Sequence, residues 1–419
     1  MPVCSETGIL LIKGILSTGE IVDRNTALKN SNPGRFIAWL ILLTVPAALM
    51  LLLEYRVVGE LGHQFPDARV YLSIADNFIS TGHFIQTARG VEGMVVPPGV
   101  PFVLTLLRFL RVSNRMLLGV HALLFGVSNI LLYETERRIT GKGIWAPILY
   151  TMANLRCLII LGNTLVEHYF LFLLCLSVWI AYSEMPPEKK LLCLNLTGLA
   201  LLMIRPLLSV VYLPILVYSL IWSCKNRKTA LVAGLVLLPA IVLGLNLAVN
   251  YRETGEFILL ENYSGSDLYT ATSYDAPVHT EDANTYSDET LYAISHDASL
   301  TMQQRNRLLK EHAREALRDH PGRVLRNGLF RGYELFLKVY VWATLYVLAG
   351  GVLLALEEYR QGKLRSAAIL ALALALVAAS SFGVPDRRYS IVIWPAASVH
   401  GAYLTHRLCS AITRPRLPE

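Results

Sequence analysis

TALVAGLVLLPAIVLGLNLAV, residues 229–249, is apolar from end to end and carries no charged side chain. A helix that crosses the ~30 Å hydrocarbon core of a bilayer needs about 20 such residues, so this run reads as a membrane span. Lys225, Arg227 and Lys228 precede it, and a long polar stretch, 250–335, follows it. Working outward in both directions, the alternation of apolar run and charged flank recurs. It gives ten spans: 36–53, 116–133, 144–162, 166–183, 190–205, 207–222, 229–249, 336–356, 366–382 and 389–406. The pair that meets at Arg205 is short.

The chain has 419 residues, 54% hydrophobic and 16% charged. Soluble domains carry roughly 25% charged residues. The expected class is therefore an all-α polytopic membrane protein. A net charge of +7 does not point to nucleic acid, because much of the Lys and Arg lies in short loops between apolar runs. Arg137, Arg138 and Lys142 form one basic group; Lys189 and Lys190 a second; Lys225, Arg227 and Lys228 a third; Arg360, Lys363 and Arg365 a fourth. With the tail residues Arg407, Arg414 and Arg416, all fall on one side of the bilayer if both termini are cytoplasmic, as the positive-inside rule requires. Residues 1–35, with GILLIKGIL at 8–16, read as a cytoplasmic extension without a signal-peptide cleavage site. Residues 36–406 form the membrane domain and 407–419 a basic cytoplasmic tail. The opposite side receives two long loops, 54–115 and 250–335. Neither contains cysteine: Cys4, Cys157, Cys175, Cys193, Cys224 and Cys409 all fall in spans or on the basic side, which leaves no disulfide framework and no Cys-based metal site.

The outer loops carry helix patterns of their own. HQFPDARVYLSIADNF, residues 63–78, predicts a helix over 67–79, opened by Pro66 and Asp67 and stopped near Gly82. Tyr71 and Ala75 share a face with Asp67, while Asp76 is rotated away. VVPPGVPFVLTLLRFLRVSNR (95–115) predicts a short interfacial helix, too short to cross and ended by Arg108, Arg111 and Arg115. The start of the second loop shows little periodicity. SLTMQQRNRLLKEHAREALRDHPG (299–322) predicts an amphipathic helix closed by Pro321 and Gly322, followed by a basic stretch with Arg323, Arg326 and Arg331.

Four features invite chemistry. Asp67 serves equally well as a helix-start residue or as a carboxylate over an interfacial substrate. Glu167, in NTLVEHYF, is an ionisable residue at the outer start of an apolar run and so a functional candidate. Its structural alternative is a carboxylate reaching for the interface. Arg205, in LLMIRPLLS, stands at an outer turn against the charge bias, either as an anion ligand or as a partner of Glu167. Arg387 and Arg388 occupy another short outer loop, where plain headgroup contact is the alternative to a lipid phosphate. No Gly-rich phosphate loop, Cys/His metal cluster or hydrolase triad is visible, and His63, His83, His121, His168 and His312 are scattered along the chain.

Seven segments in this order resemble a known group of proteins. They are PDARVYLSIADNFISTGHF, VVPPGVPFVLTLL, NTLVEHYFLFLLCLSVWIAY, GLALLMIRPLLSVVYLP, NYRETGEFILLENYSGSDLY, EALRDHPGRVLRNGLFRGYELF and DRRYSIVIWP. Together they resemble the GT-C glycosyltransferases, in the branch shared by protein O-mannosyltransferases and bacterial lipid A aminoarabinose transferases. The resemblance covers roughly 36–400. It implies transfer of a sugar from a polyprenyl-phosphate donor to a glycan, lipid or protein acceptor, with inversion, on the outer face of a membrane such as the bacterial inner membrane. It matches Asp67 to the first-loop acid, Glu167 to an acid of the second outer loop, and Arg205 to a basic residue after the fifth span. Arg388 before Tyr389 matches the family's Arg-Tyr pattern; Tyr71, Pro97 and Pro98 would shape the pocket with Tyr389. Many relatives have a second acid after the first; here it is Ala68, so a divalent metal on Asp67 stays an open alternative. A flippase of lipid-linked glycan, or a polymerase or ligase using a lipid pyrophosphate, are the competing readings.

Overall fold

The computed structural model describes residues 33–58, 66–87, 94–161, 165–273, 289–337, 341–382 and 391–413. Among them there are helices and no strand. The elements are α1 (Pro33–Val58), α2 (Pro66–Thr81), α3 (Gly99–Phe109), α4 (Asn114–Thr140), α5 (Trp145–Leu161), α6 (Leu165–Ala181), α7 (Pro187–Ile204) and α8 (Ser209–Lys225). They continue as α9 (Thr229–Thr254), α10 (Ser264–Ser273), α11 (Glu289–His296), α12 (Met302–Asp319), α13 (Pro321–Gly332), α14 (Val341–Arg360), α15 (Arg365–Ser381) and α16 (Trp394–Thr413). Among the described residues, four stretches are long and apolar enough to cross a membrane: Pro33–Leu52, Met116–Thr140, Pro206–Lys225 and Thr229–Thr254. The other expected apolar runs also form helices, several of them shorter than the run that announced them.

The main core is an apolar cluster shared by α1 to α8, α15 and α16, with Tyr150, Phe170, Leu104, Leu132 and Leu201 enclosed. Large apolar side chains also face outward. Phe36, Ile37, Leu40 and Ile41 do so on α1, and Val236, Leu237, Ile241 and Leu245 on α9. An exposed apolar belt of this kind is costly in water and natural against lipid.

The basic groups converge at one end of the bundle. Arg138, at the end of α4, donates to the carbonyl of Trp179 at 3.3 Å and lies over its ring at 4.8 Å. Lys190 donates to the carbonyl of Ala181, and Lys228 pairs with Glu188 at 3.0 Å. Arg365 pairs with Glu358 at 3.7 Å and lies over Tyr182. Arg407 pairs with Glu357, and His406 with Glu136 at 2.7 Å. The ends of α4, α6, α8, α14 and α16 therefore meet the starts of α7, α9 and α15. The short helices α2, α3 and α10 to α13 belong to the segments that leave the bundle at the other end. Residues 1–32 and 414–419 lie outside the described residues, and α16 runs on to Thr413, so the start of the expected tail is helical.

At that other end the expected helix around Asp67 is α2, from Pro66 to Thr81. Proline suits a first helical position, since its missing N–H has no helical partner there. Gly82 stops the helix with φ +77°, its N–H bonded to the Phe78 carbonyl at 2.9 Å. The buried face is Ala68, Tyr71, Leu72 and Ala75. Asp76 points away and accepts from Arg108 of α3 at 2.9 Å. The helix expected at the interface is α3, eleven residues with Phe102, Leu106 and Phe109 exposed.

Three differences from the sequence reading bear on the outer segments. Helix α9 continues past 249 to Thr254, where Gly255 closes it at φ +72°. Pro321 does not close the amphipathic helix: α12 ends at Asp319, and Pro321 opens α13. The part of the second loop that lacks periodicity contains α10. Its ten residues hold their place through tertiary contacts, with the Gly265 N–H on Asn306 Oδ1 at 2.6 Å and Arg331 on the carbonyls of Thr270 and Ala271. Arg331 is accordingly buried, not part of a basic surface leading to the membrane.

Candidate functional site

Glu167 sits in the first turn of α6, where the helix dipole favours a carboxylate. It is 2% exposed, so it does not reach for an interface. Arg205 occupies the break between α7 and α8. Pro206 forces it out of the helical region, to φ −151° and ψ 113°, and the chain then makes one 3-10 turn before α8. The break turns Arg205 toward Glu167, Nη1 to Oε1 3.7 Å, with the guanidinium 5.7 Å from the Phe170 ring centre. The partnership with Glu167 that the sequence offered as the structural alternative for Arg205 is thus present, with Glu167 enclosed and the Arg205 side chain 17% exposed.

The PPG segment lies against the same break. Pro97 is buried and Pro98 precedes α3. A side chain on Gly99 would meet the Met203 carbonyl at 2.8 Å, so only glycine lets α3 approach the end of α7 so closely. Asn262 fixes the two outer segments to each other. Its side chain accepts from the Val95 N–H at 2.8 Å, and its own N–H donates to the Val95 carbonyl at 3.3 Å. From α9, Asn246 and Asn250 donate to the carbonyls of Leu259 and Ile258. Residues 258–262 are thereby held between α9 and the segment before α3.

What this brings to Arg205 is a group the sequence reading did not single out. Glu261 accepts hydrogen bonds from Ser264 and Tyr263, and feels the cations of Lys310 and Arg205. Burial outweighs those contacts and raises its carboxyl above the usual range. The Tyr263 phenol is also pushed up, first by burial, then by Tyr71, Glu261 and Asp267 nearby, with Arg205 pulling the other way. Tyr71, Glu167, Arg205, Glu261, Tyr263, Asp267 and Lys310 form one polar neighbourhood, drawn from α2, α6, the α7–α8 break, the 255–263 segment, α10 and α12. The only sequence signal for Glu261 is a charged residue directly after the apolar FILL, followed by the turn-forming NYSG.

Asp67 is the second residue of α2, one turn before Tyr71; its side chain lies outside the described residues, as do Arg387, Arg388 and Tyr389 altogether. Among the described residues no three His, Cys, Asp or Glu side chains converge to hold a metal ion. Two of the histidines do meet: the His121 and His168 rings stack at 4.4 Å, enclosed beside Tyr169. His83 pairs with Glu253 at 2.9 Å and ties the end of α2 to the end of α9. A cavity of about 410 Å³ opens between α13, α14, α15 and α16, lined by apolar side chains such as Leu329, Phe336, Val347, Val377 and Trp394. Phe382 and Ile393, on either side of the 383–390 segment in sequence, also line it. Comparison of the chain with family models, with curated proteins and with solved structures gives no match.

Proposed function

We propose that the chain is a membrane glycosyltransferase of GT-C type, which moves a sugar from a polyprenyl-phosphate donor to an acceptor on the outer face of the membrane, with inversion. In this reading it spans the bilayer ten times. The basic end is cytoplasmic by the positive-inside rule, and the end with Arg205 faces outward, in a bacterial inner membrane the periplasm. The observation that carries the reading is the polar neighbourhood itself. An arginine, buried and half-buried carboxylates and two tyrosines meet at one end of an apolar bundle, beside the helix that carries Asp67. An apolar cavity next to that end is suited to an isoprenoid chain.

Each group then has a role. Asp67 accepts the proton of the acceptor hydroxyl as the new bond to the anomeric carbon forms. The glycosidic bond to phosphate breaks, and the leaving polyprenyl phosphate gains charge. Arg205, with Arg388 or Arg387, stabilises that charge; arginine is fitted to two phosphate oxygens and stays charged in a poorly hydrated site. Glu167 orients Arg205. Tyr71 and the Pro97–Pro98 turn shape the sugar pocket, with Tyr389 beside Arg388. A divalent metal on Asp67 would be an addition to this scheme, not a requirement of it.

Mass spectrometry of lipid-linked and cell-surface glycans tests the reading in cells with the wild-type chain, with Asp67→Asn and without the protein. The expected result is loss of one sugar from the surface glycan and accumulation of the corresponding polyprenyl-phosphate sugar in the last two. Identical glycans in all three would overturn it. A normal product with Asp67→Asn but none without the protein would favour a flippase, which needs no fixed base.

A further inference from the structure

At the basic end of the bundle, three cations converge on the last turn of α6, Trp179 to Tyr182. Arg138 of α4 donates to the Trp179 carbonyl at 3.3 Å and lies over its ring. Lys190 of α7 donates to the Ala181 carbonyl at 3.4 Å, and Arg365 of α15 lies 5.7 Å from the Tyr182 ring centre. Cations suit the C-terminal end of a helix, which accounts for the exposed Arg138 and the half-buried Arg365. It does not account for Lys190, which is 4% exposed. A buried charge is costly unless a counter-charge stands beside it. The carboxylates of this end are engaged elsewhere. Glu134 holds Arg35 at 2.6 Å and Arg137 at 3.9 Å, and Glu188 holds Lys228. Glu358 takes the Ser366 N–H at 2.7 Å, with Arg365 3.7 Å away. Glu136 takes His406, and Glu357 takes Arg407. Glu184 is exposed and forms no ion pair among the described residues. Among those residues Arg138 and Lys190 therefore have a carbonyl each and no carboxylate, and the Arg365 Nε makes no hydrogen bond.

We propose that Arg138, Lys190 and Arg365 bind the phosphate of one anionic phospholipid from the leaflet at the basic end. The proposal stands apart from the catalytic reading of the other end. The phosphate supplies the counter-charge that Lys190 lacks. It also takes up donors that the protein leaves over, since an ammonium and a guanidinium each carry several N–H groups and these spend one apiece on a carbonyl. Arginine and lysine between membrane helices are a known recognition chemistry for lipid headgroups. A second observation points to a lipid and not to a free phosphate. An apolar crevice of about 70 Å³ lies between α6, α7, α8, α15 and α16. Ala181, which holds Lys190, is one of its walls. Leu194, one turn beyond Lys190, and Ile369, one turn beyond Arg365, are two more. It has room for a short length of acyl chain next to the site of the headgroup, which a soluble anion would leave empty.

The probes are phosphatidylglycerol, phosphatidylcholine and soluble glycerol 1-phosphate. The full chain is released from phosphatidylcholine nanodiscs holding a minor share of phosphatidylglycerol, and the lipid it retains is identified by native mass spectrometry. Each probe is then titrated onto the chain in detergent. The wild type should retain one phosphatidylglycerol and bind it more tightly than either other probe. Lys190→Gln should weaken that binding about tenfold or more, the worth of one charge-assisted hydrogen bond, and Lys190→Arg should keep most of it. Lys189→Gln removes the same charge from the exposed neighbouring position and should bind as the wild type does. Equal retention of the two lipids overturns the proposal. Glycerol 1-phosphate binding as tightly as phosphatidylglycerol makes the cluster a free-anion site and also overturns it. So does a Lys190→Gln chain that binds like the wild type, or an equal loss in Lys189→Gln, which would leave only a diffuse basic surface. The comparison of probes is made on the wild type, so the test does not depend on a variant folding.

Discussion

At the scale of residues, the proposed function couples a structural pair to a chemical task, and the two can be separated. Arg205 neutralises Glu167, which is enclosed. Removing one partner of a buried pair costs about 3–5 kcal/mol, since the other is left charged and unpaired. Arg205→Ala is therefore expected to lose thermal stability as well as donor binding and turnover. The double variant Arg205→Ala/Glu167→Gln should regain much of the stability and none of the donor binding, and Arg205→Lys should keep part of both. If the double variant binds donor like the wild type, Arg205 is only a counter-ion. Asp67→Asn should fold, still bind donor, and lose about 10²–10⁴-fold in turnover, the usual worth of a general base. Glu167→Gln should be milder. Near-normal turnover in Asp67→Asn would leave Asp67 as a helix-start residue.

Among the elements, what was legible in the sequence was local and what was not was tertiary. Pro66 and Gly82 bound α2 because one suits a first helical position and the other a positive φ; both properties belong to the residues themselves. Pro206 marks the break at Arg205 for the same kind of reason. By contrast, SGSDLYTATS shows no helical stripe, and α10 exists because Asn306 receives its start and Arg331 its end. Glu261 was illegible because its meaning lies in Arg205, far off in sequence. Pro321 was read as a stop, although proline opens helices as readily as it ends them. The contact of α3 with α7 gives a direct test. Gly99→Ala puts a methyl group 2.8 Å from the Met203 carbonyl. Overpacking of that kind typically costs about 1–3 kcal/mol, so a lower unfolding temperature is expected, with weaker donor binding as the Arg205 turn is displaced. An unchanged unfolding temperature would mean that the two helices do not meet as described.

On the scale of the whole molecule, the two ends of the bundle differ in kind, and the difference can be read with cysteine chemistry. In a background without native cysteines, a cysteine at Ser80 or Ala298 should react with an impermeant thiol reagent in intact cells. One at Gln361, beside Lys363 at the basic end, should react only after permeabilisation. All three positions are exposed, so protection reports sidedness and not burial. The reverse pattern would invert the topology and with it the proposed site. The length of α9 carries a last consequence. Its 26 residues extend about 39 Å, and the apolar run 229–249 about 31 Å of that, close to a ~30 Å hydrocarbon core, so a thinner bilayer would make it lean. Its far end grips the segment that holds Glu261 and Tyr263, through Asn246 and Asn250. Any change in lean is handed to the polar neighbourhood around Arg205. Membrane thickness then becomes an effector: transfer rates in vesicles of graded acyl-chain length should pass through a maximum, and a rate indifferent to chain length would show that the grip transmits nothing.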